Sequence, residues 1–304
     1  MSRRGTASAD VPGLTAERLA IADGPETLRD RLAGVRGLVL DADGVIVRRS
    51  EMLPGVSETL ATLAARGTPF RIVTNFSTAH RSTLAARFGG GTIPADWFIT
   101  AASAAAGLAR DRHPDGDLLV IASPDALREF EGQRLLTPQE ADSRPRDVAA
   151  VVIGDAGDDL RFEALDVAFR CLLAGADFLA MHRNLWWTTG KGATLDSGAL
   201  VVGLEAATGR RAVVAGKPSP VVFRQAVGAI ARDLGGRVAR RDVAMVGDDI
   251  DSDIHAAKRV GLRGVLVLTG KHAGAEVEAS ARRRGGTRPD AIAPSLVEVV
   301  AALD

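Results

Sequence analysis

Leu38-Val39-Leu40-Asp41-Ala42-Asp43-Gly44-Val45 reads as a short apolar strand that runs into a turn carrying two carboxylates. One small residue separates the acids, and the glycine lets the backbone turn tightly or approach a ligand. Further apolar runs follow at 70–73, 118–121, 148–153, 178–181, 212–214, 243–246 and 264–268. Amphipathic stretches at 56–66, 79–88, 101–110, 161–174, 197–207, 220–234 and 253–260 alternate with them. Strands separated by helices of this length predict an α/β fold with a parallel sheet. No fixed-period repeat is present, which excludes solenoids and propellers.

In an open parallel sheet, reactive groups gather just past the carboxyl ends of the strands. Four such places are chemically loaded. Asp41 and Asp43 follow the first run, and Thr74-Asn75 follows the run at 70–73. Gly216-Lys217-Pro218-Ser219-Pro220 follows the run at 212–214, and Gly247-Asp248-Asp249-Ile250-Asp251-Ser252-Asp253 follows the run at 243–246. Taken singly, each has an ordinary explanation. Asp-x-Asp-Gly is turn chemistry, Thr-Asn is an N-cap, and Asp249 and Asp251 are acids that complement a helix start. Taken together and in this order, they place more carboxylates at one sheet edge than can coexist without a cation. Hard oxygen ligands at that density suit Mg²⁺, which keeps several waters and bridges to phosphate.

With these motifs in register, the chain resembles the haloacid dehalogenase superfamily of phosphohydrolases. Asp41-Ala42-Asp43-Gly44-Val45 is similar to its first motif, Thr74 to its second, Lys217 to its third and Gly247-Asp248 through Asp253 to its fourth. Leu53-Pro54-Gly55, Gly216 to Pro220 and Thr269-Gly270-Lys271 resemble the NagD-like subfamily IIA. Gly247-Asp248-Asp249 and Thr269-Gly270-Lys271 further resemble the phospholysine/phosphohistidine inorganic pyrophosphate phosphatases and their bacterial relatives. The resemblance spans residues 35 to 304. It implies a Rossmann-like parallel-sheet core with an inserted smaller α/β cap domain of the kind that defines subfamily IIA. The expected division is a flexible extension over 1–34, a core over 35–114 plus 209–304, and a cap over 115–208.

The chemistry explains the residue types. Phosphate-ester hydrolysis needs an in-line nucleophile, neutralisation of the equatorial oxygens and a proton for the leaving group. Asp41, at the strand end, is the expected nucleophile, because a carboxylate can form an acyl phosphate that water then hydrolyses. Asp43 is the expected general acid and base. Asp248 is expected to hold Mg²⁺ with Asp41, and the resemblance implies that Asp43 contributes its backbone carbonyl. Asp253 is expected to bind through water or to orient Lys217, with Asp249 in a supporting place. Lys217 pairs with Asp41 and the phosphate. Thr74 Oγ, the Asn75 N–H and the turn at Gly44 are expected to hold the phosphoryl oxygens. Relatives often carry a second polar residue where Phe76 stands, and an aromatic there narrows the entrance or shifts a loop.

In the cap, the segment from His182 to Gly192 reads as a polar and aromatic loop. His182, Arg183, Trp186, Trp187 and Lys191 are its candidate specificity residues, with cap-to-core packing as the alternative for the tryptophans. His255 reads as a structural helix residue. No Cys/His cluster suggests zinc, and neither a nucleophile elbow nor a Walker A pattern occurs.

The resemblance implies a small phosphorylated substrate, and composition points to no larger partner. The 304 residues carry 38 Lys plus Arg and 38 Asp plus Glu, so no overall field holds a polyanion, and neither nucleic acid nor a membrane is an expected partner. No apolar run is long enough for a signal core or a span. Cys171 stands alone in an apolar stretch, where a buried core residue in a reducing cytoplasm is expected. The resemblance admits a homodimer. The rival reading is a catalytically idle or regulatory phosphate-binding protein on the same fold. Receiver domains also gather acids, a hydroxyl and a lysine, but they are far shorter and lack an acid placed as Asp43 is.

Overall fold

The computed structural model describes residues 27–48, 51–89, 93–157, 160–189, 192–271 and 288–303. Six strands form a parallel sheet in the spatial order Ala291–Ala293, Arg263–Val267, Val243–Gly247, Gly37–Asp41, Phe70–Thr74 and Phe98–Thr100. The three central strands are buried along their whole length, as expected for strands covered on both faces. Side chains alternate between the faces. Leu38, Leu40, Ile72 and Val246 pack into one cluster, whereas Val39, Val73 and Met245 pack into the other.

A second parallel sheet follows the order Val213–Val214, Asp177–Ala180, Val148–Ile153, Asp117–Ile121 and Arg134–Leu135. The chain is therefore a parallel-sheet α/β core with a smaller α/β unit inserted between the first and the second halves of the core sheet. The strand Val213–Val214 belongs to the smaller sheet, although it lies beyond residue 208, where the insertion was expected to end. Its pairing with Leu179 and Ala180 delivers the chain directly to Lys217 at the boundary between the two units.

The helix Ala101–Arg112 joins the units. A capping box starts it: Thr100 Oγ1 accepts the Ser103 N–H and Ser103 Oγ accepts the Thr100 N–H, each at 2.9 Å. Its buried face is Ala101, Ala102, Ala104, Ala105, Ala106 and Ala109. These small side chains let layers on both sides approach closely. One apolar cluster consequently runs from Val39 and Met245 of the core, through this helix, to Leu118, Phe130, Ala150 and Leu179 of the smaller unit. The far face of the smaller sheet packs separately on the helices Phe162–Ala174 and Gly198–Thr208, with Cys171 fully buried there.

Three sequence expectations change. Residues 27–34 are not a loose tail, because Leu28–Leu32 is a helix capped by Thr27 and anchored by buried Leu32. The remainder of the expected extension, 1–26, lies outside the described residues. The expected cap loop contains an antiparallel hairpin, Trp186–Thr189 paired with Gly192–Leu195, for which its threonines and tryptophans are good strand formers. The short strands Phe98–Thr100 and Ala291–Ala293 were not read from the sequence, since three residues carry too little periodicity.

Because one cluster spans both units, Phe130→Ala is expected to cost about 3–5 kcal/mol and to leave a single unfolding transition. Denaturant unfolding followed by tryptophan fluorescence and circular dichroism checks this. Two separated transitions would contradict the shared core.

Candidate active site

Sheet order creates the site. The chain leaves the Gly37–Asp41 strand toward one side of the sheet and later returns to fill the other, so the order switches between that strand and Val243–Gly247. A crevice opens outside the carboxyl ends of strands at such a switch point. Asp41 closes the first strand, and Asp248 follows the second by one residue.

Side-chain oxygens of Asp41, Asp248 and Asp253 lie within 4.8 Å of one another, and all three residues are buried. Asp253 enters this group because the helix after the fourth motif begins at Ile250 with i→i+5 geometry, marked by the Ile254 N–H donating to the Asp249 carbonyl at 3.2 Å. Such local widening recurs at functional sites, and here it turns Asp253 toward the crevice. The helix was expected to begin only at Asp253.

The Lys217 ammonium lies 2.6 Å from Asp41 Oδ1 and 2.7 Å from Asp253 Oδ1. Burial disfavours its charge, but the two carboxylates outweigh burial and hold it protonated well above an ordinary lysine. Asp253 is pushed up to about 7 by burial and the charge of Asp41, with Lys217 opposing. Burial also raises Asp41, against Lys217 and the Ala42 N–H that donates to Oδ1 at 2.7 Å. Burial likewise raises Asp248. Three buried carboxylates gather around the Lys217 ammonium, and an oxygen-lined group of this kind fits a hard divalent cation.

Two glycines let the backbone close over Asp248. A methyl group on Gly44 (φ +77°) or on Gly270 would collide with the Asp248 carboxylate. Thr269 Oγ1 donates to the Gly44 carbonyl, and the Lys271 N–H donates to Asp248 Oδ2 at 2.7 Å. Asp249 has a different task. Its Oδ1 accepts the N–H groups of Asp251 and Ser252 as a helix cap, and its Oδ2 pairs with Lys271. Burial pushes its carboxyl up, but these donors overcome burial and hold it low.

Asp43 faces the open cleft. The protein around it partly desolvates its carboxyl and raises it, with Lys217 and Arg87 pulling the other way. A carboxyl shifted in this direction holds a proton more readily, which suits a group that must give one up.

The loop after Phe70–Thr74 lies across the crevice. Thr74 is buried, and its Oγ1 accepts the Phe76 N–H at 3.3 Å. Asn75 Nδ2 donates to the Lys217 carbonyl at 3.0 Å, which couples this loop to the lysine turn, while its Oδ1 is buried without a hydrogen-bond partner among the described residues. The inserted unit grips the rest of the loop. Ser123 Oγ donates to the Thr78 carbonyl, Asp125 Oδ2 accepts the His80 N–H, and the buried Glu129 binds the Arg81 N–H and guanidinium. Ser77 Oγ lies 2.9 Å from His182 Nε2.

Core and inserted unit together line an open cavity of about 880 Å³. Asp41, Asp43, Thr74, Asn75, Lys217, Asp248 and Asp249 line its floor, and His182, Trp186 and Trp187 line its upper wall. Arg183 does not line it, because its guanidinium is drawn to Glu205. Lys191 lies outside the described residues. Phe76 lines the cavity and packs partly on the core. Ser77, Asp155, Asp196 and Lys271 also line it and were not singled out as site residues. Only tertiary folding brings Asp155 and Asp196 to the crevice, whereas Ser77, three residues past Thr74, was within reach of sequence reasoning.

A haloacid dehalogenase-like hydrolase family model matches residues 38–135, and a HAD-hydrolase-like model matches residues 214–299. The mouse (Mus musculus) haloacid dehalogenase-like hydrolase domain-containing protein 2 is 32% identical over 246 residues, covering 80% of this chain and 88% of that one. Among solved structures, a p-nitrophenyl phosphatase from Archaeoglobus fulgidus superposes with a TM-score of 0.76 at 28% identity, covering 88% of this chain and 99% of that one. NagD from E. coli gives a TM-score of 0.72 at 26% identity, covering 87% and 98%. With four motifs around one crevice and an inserted α/β unit above it, the chain belongs to the haloacid dehalogenase-like hydrolases, in the NagD-like subfamily IIA of phosphohydrolases.

Proposed function

We propose that the protein is a Mg²⁺-dependent phosphatase that hydrolyses a small phosphorylated metabolite through an aspartyl-phosphate on Asp41. The observation that carries this reading is the convergence of Asp41, Asp248 and Asp253 within 4.8 Å beside the buried Lys217 ammonium. Asp41 and Asp248, with the backbone carbonyl of Asp43, would hold the metal. When bound, Mg²⁺ supplies charge neutralisation for the entering phosphate dianion. The core over 35–114 plus 215–304 would carry the chemistry. The inserted unit, taken to run from 115 through Val214, would serve as the cap that encloses the substrate.

In the first step an Asp41 carboxylate oxygen attacks phosphorus. The bond to the leaving oxygen breaks as that oxygen takes the proton held by Asp43. In the second step Asp43 removes a proton from water, whose oxygen attacks phosphorus and releases phosphate and the Asp41 carboxylate. Lys217, Thr74 Oγ1 and the Asn75 N–H stabilise the charge on the phosphoryl oxygens. Asp253 holds Lys217 in place from the side opposite the substrate.

The name of the Archaeoglobus neighbour supplies a test substrate. Phosphate release from p-nitrophenyl phosphate is expected to vanish on exhaustive chelation and to return with Mg²⁺. Asp41→Asn is expected to abolish turnover, and Asp43→Asn to slow it ~10²-fold or more. Full activity in chelator, or in Asp41→Asn, would refute the mechanism.

A second expectation concerns pH. The folded protein holds the Asp253 proton up to about 7, whereas an unfolded aspartate releases it near ~4. This group therefore contributes stability that is complete below the unfolded value and is lost as pH rises through about 7. Asp41 and Asp248, also raised, act in the same sense. A metal must displace these protons, so the gain in melting temperature from Mg²⁺ should be larger at about pH 8 than at about pH 5.5. Equal gains in a thermal-shift series would argue against binding at this cluster.

A further inference from the structure

The two ends of the cavity differ in charge. At the floor, Lys217 is shared by Asp41 and Asp253, and the Lys271 ammonium pairs with Asp249. No other lysine and no arginine lines the cavity among the described residues. The nearest candidate in the upper wall, Arg183, is held by Glu205.

The upper wall instead carries two carboxylates. Asp155 Oδ1 accepts only the nearby Gly157 N–H at 2.8 Å, and Asp155 has no ion-pair partner among the described residues. Asp196 Oδ1 accepts the Ser197 N–H at 2.7 Å and lies 3.6 Å from His182 Nε2. His182 does not neutralise the pair. Burial lowers its pKa against the pull of Asp196 and Asp155. Its Nδ1 accepts the Asn184 N–H at 3.4 Å, so the neutral ring carries its proton on Nε2, facing Ser77 and Asp196.

Beside these acids stand two indoles. Trp186 is 63% exposed and Trp187 48% exposed, yet both line the cavity. Hydrophobic side chains of this size are left open to solvent at a cost, and an exposed indole face attracts both flat rings and cations.

Resting on the phosphatase reading above, we propose that the substrate is the phosphate monoester of an aromatic amine: a flat ring for the tryptophans and a cationic group for Asp155 and Asp196. A second phosphate or a carboxylate on the leaving group is selected against, because among the described residues it meets two like charges and no free cation in the upper wall. Discrimination comes from repulsion as much as from attraction.

The test compares three substrates of the full-length protein in Mg²⁺: p-nitrophenyl phosphate, phosphotyramine, and the phosphate ester of hydroxyphenylpropionate. The last two differ chiefly in the sign of the charge on the side arm. We expect kcat/KM for phosphotyramine to exceed that for the propionate ester by about tenfold or more. Asp155→Asn combined with Asp196→Asn should reduce this ratio severalfold. Each asparagine retains an oxygen for the Gly157 or Ser197 N–H, and a melting curve confirms the fold.

Hydrolysis of p-nitrophenyl phosphate with a ratio near or below one would overturn the inference and leave the phosphatase reading intact. No hydrolysis of any of the three would overturn the phosphatase reading. The inference, which rests on that reading, would fall with it.

Discussion

One ammonium between two buried carboxylates sets the terms for the rest of the site. Lys217 lies against Asp41 and Asp253 in a crevice that also holds Asp248. Taking such charges out of water costs several kcal/mol per ion unless each is paired. Carboxylate oxygens gathered this closely could hold a divalent cation, which is the basis of the phosphatase proposal. The supports around the site serve this arrangement: Gly44 and Gly270 give Asp248 its space, and the widened helix start brings Asp253 to the lysine.

The inserted unit does more than cover the crevice. Ser123, Asp125, Glu129 and His182 each reach the loop over residues 77–81, immediately after the Thr74-Asn75 pair. The helix Ala101–Arg112 fuses the apolar cores beneath them. The loop along the crevice is thus held by both units, and a residue far from the crevice in sequence can influence its geometry. Such support keeps reacting groups in place without reorganisation during the reaction.

Much of this was legible in the sequence, for identifiable reasons. The apolar runs at 148–153 and 243–246 became buried strands because continuous hydrophobicity leaves few alternatives. The acids at 41, 43 and 248 fell at strand ends because the topology puts them there. What escaped reading was decided by tertiary structure. The i→i+5 turn that brings Asp253 to Lys217 was not read, although the helix-start place of Asp249 and the approach of Asp253 to Lys217 were expected. Arg183 and Asp196 had the opposite fates: the apparent specificity residue is held by Glu205, and an unremarked aspartate lines the cavity. Glu205, 22 residues further on, decides the place of Arg183, and no local pattern marks Asp196. The hairpin at Trp186 was missed because Gly and Thr also suit a loop.

The central claim is that Asp41 carries the phosphoryl group. The most direct measurement is an acid quench of Asp43→Asn during turnover of p-nitrophenyl phosphate, followed by borohydride reduction and peptide mass mapping. The account predicts an acyl phosphate confined to residue 41, read as conversion of that aspartate to homoserine. Phosphate release with no modification at residue 41, or with the phosphoryl group on another side chain, would contradict it.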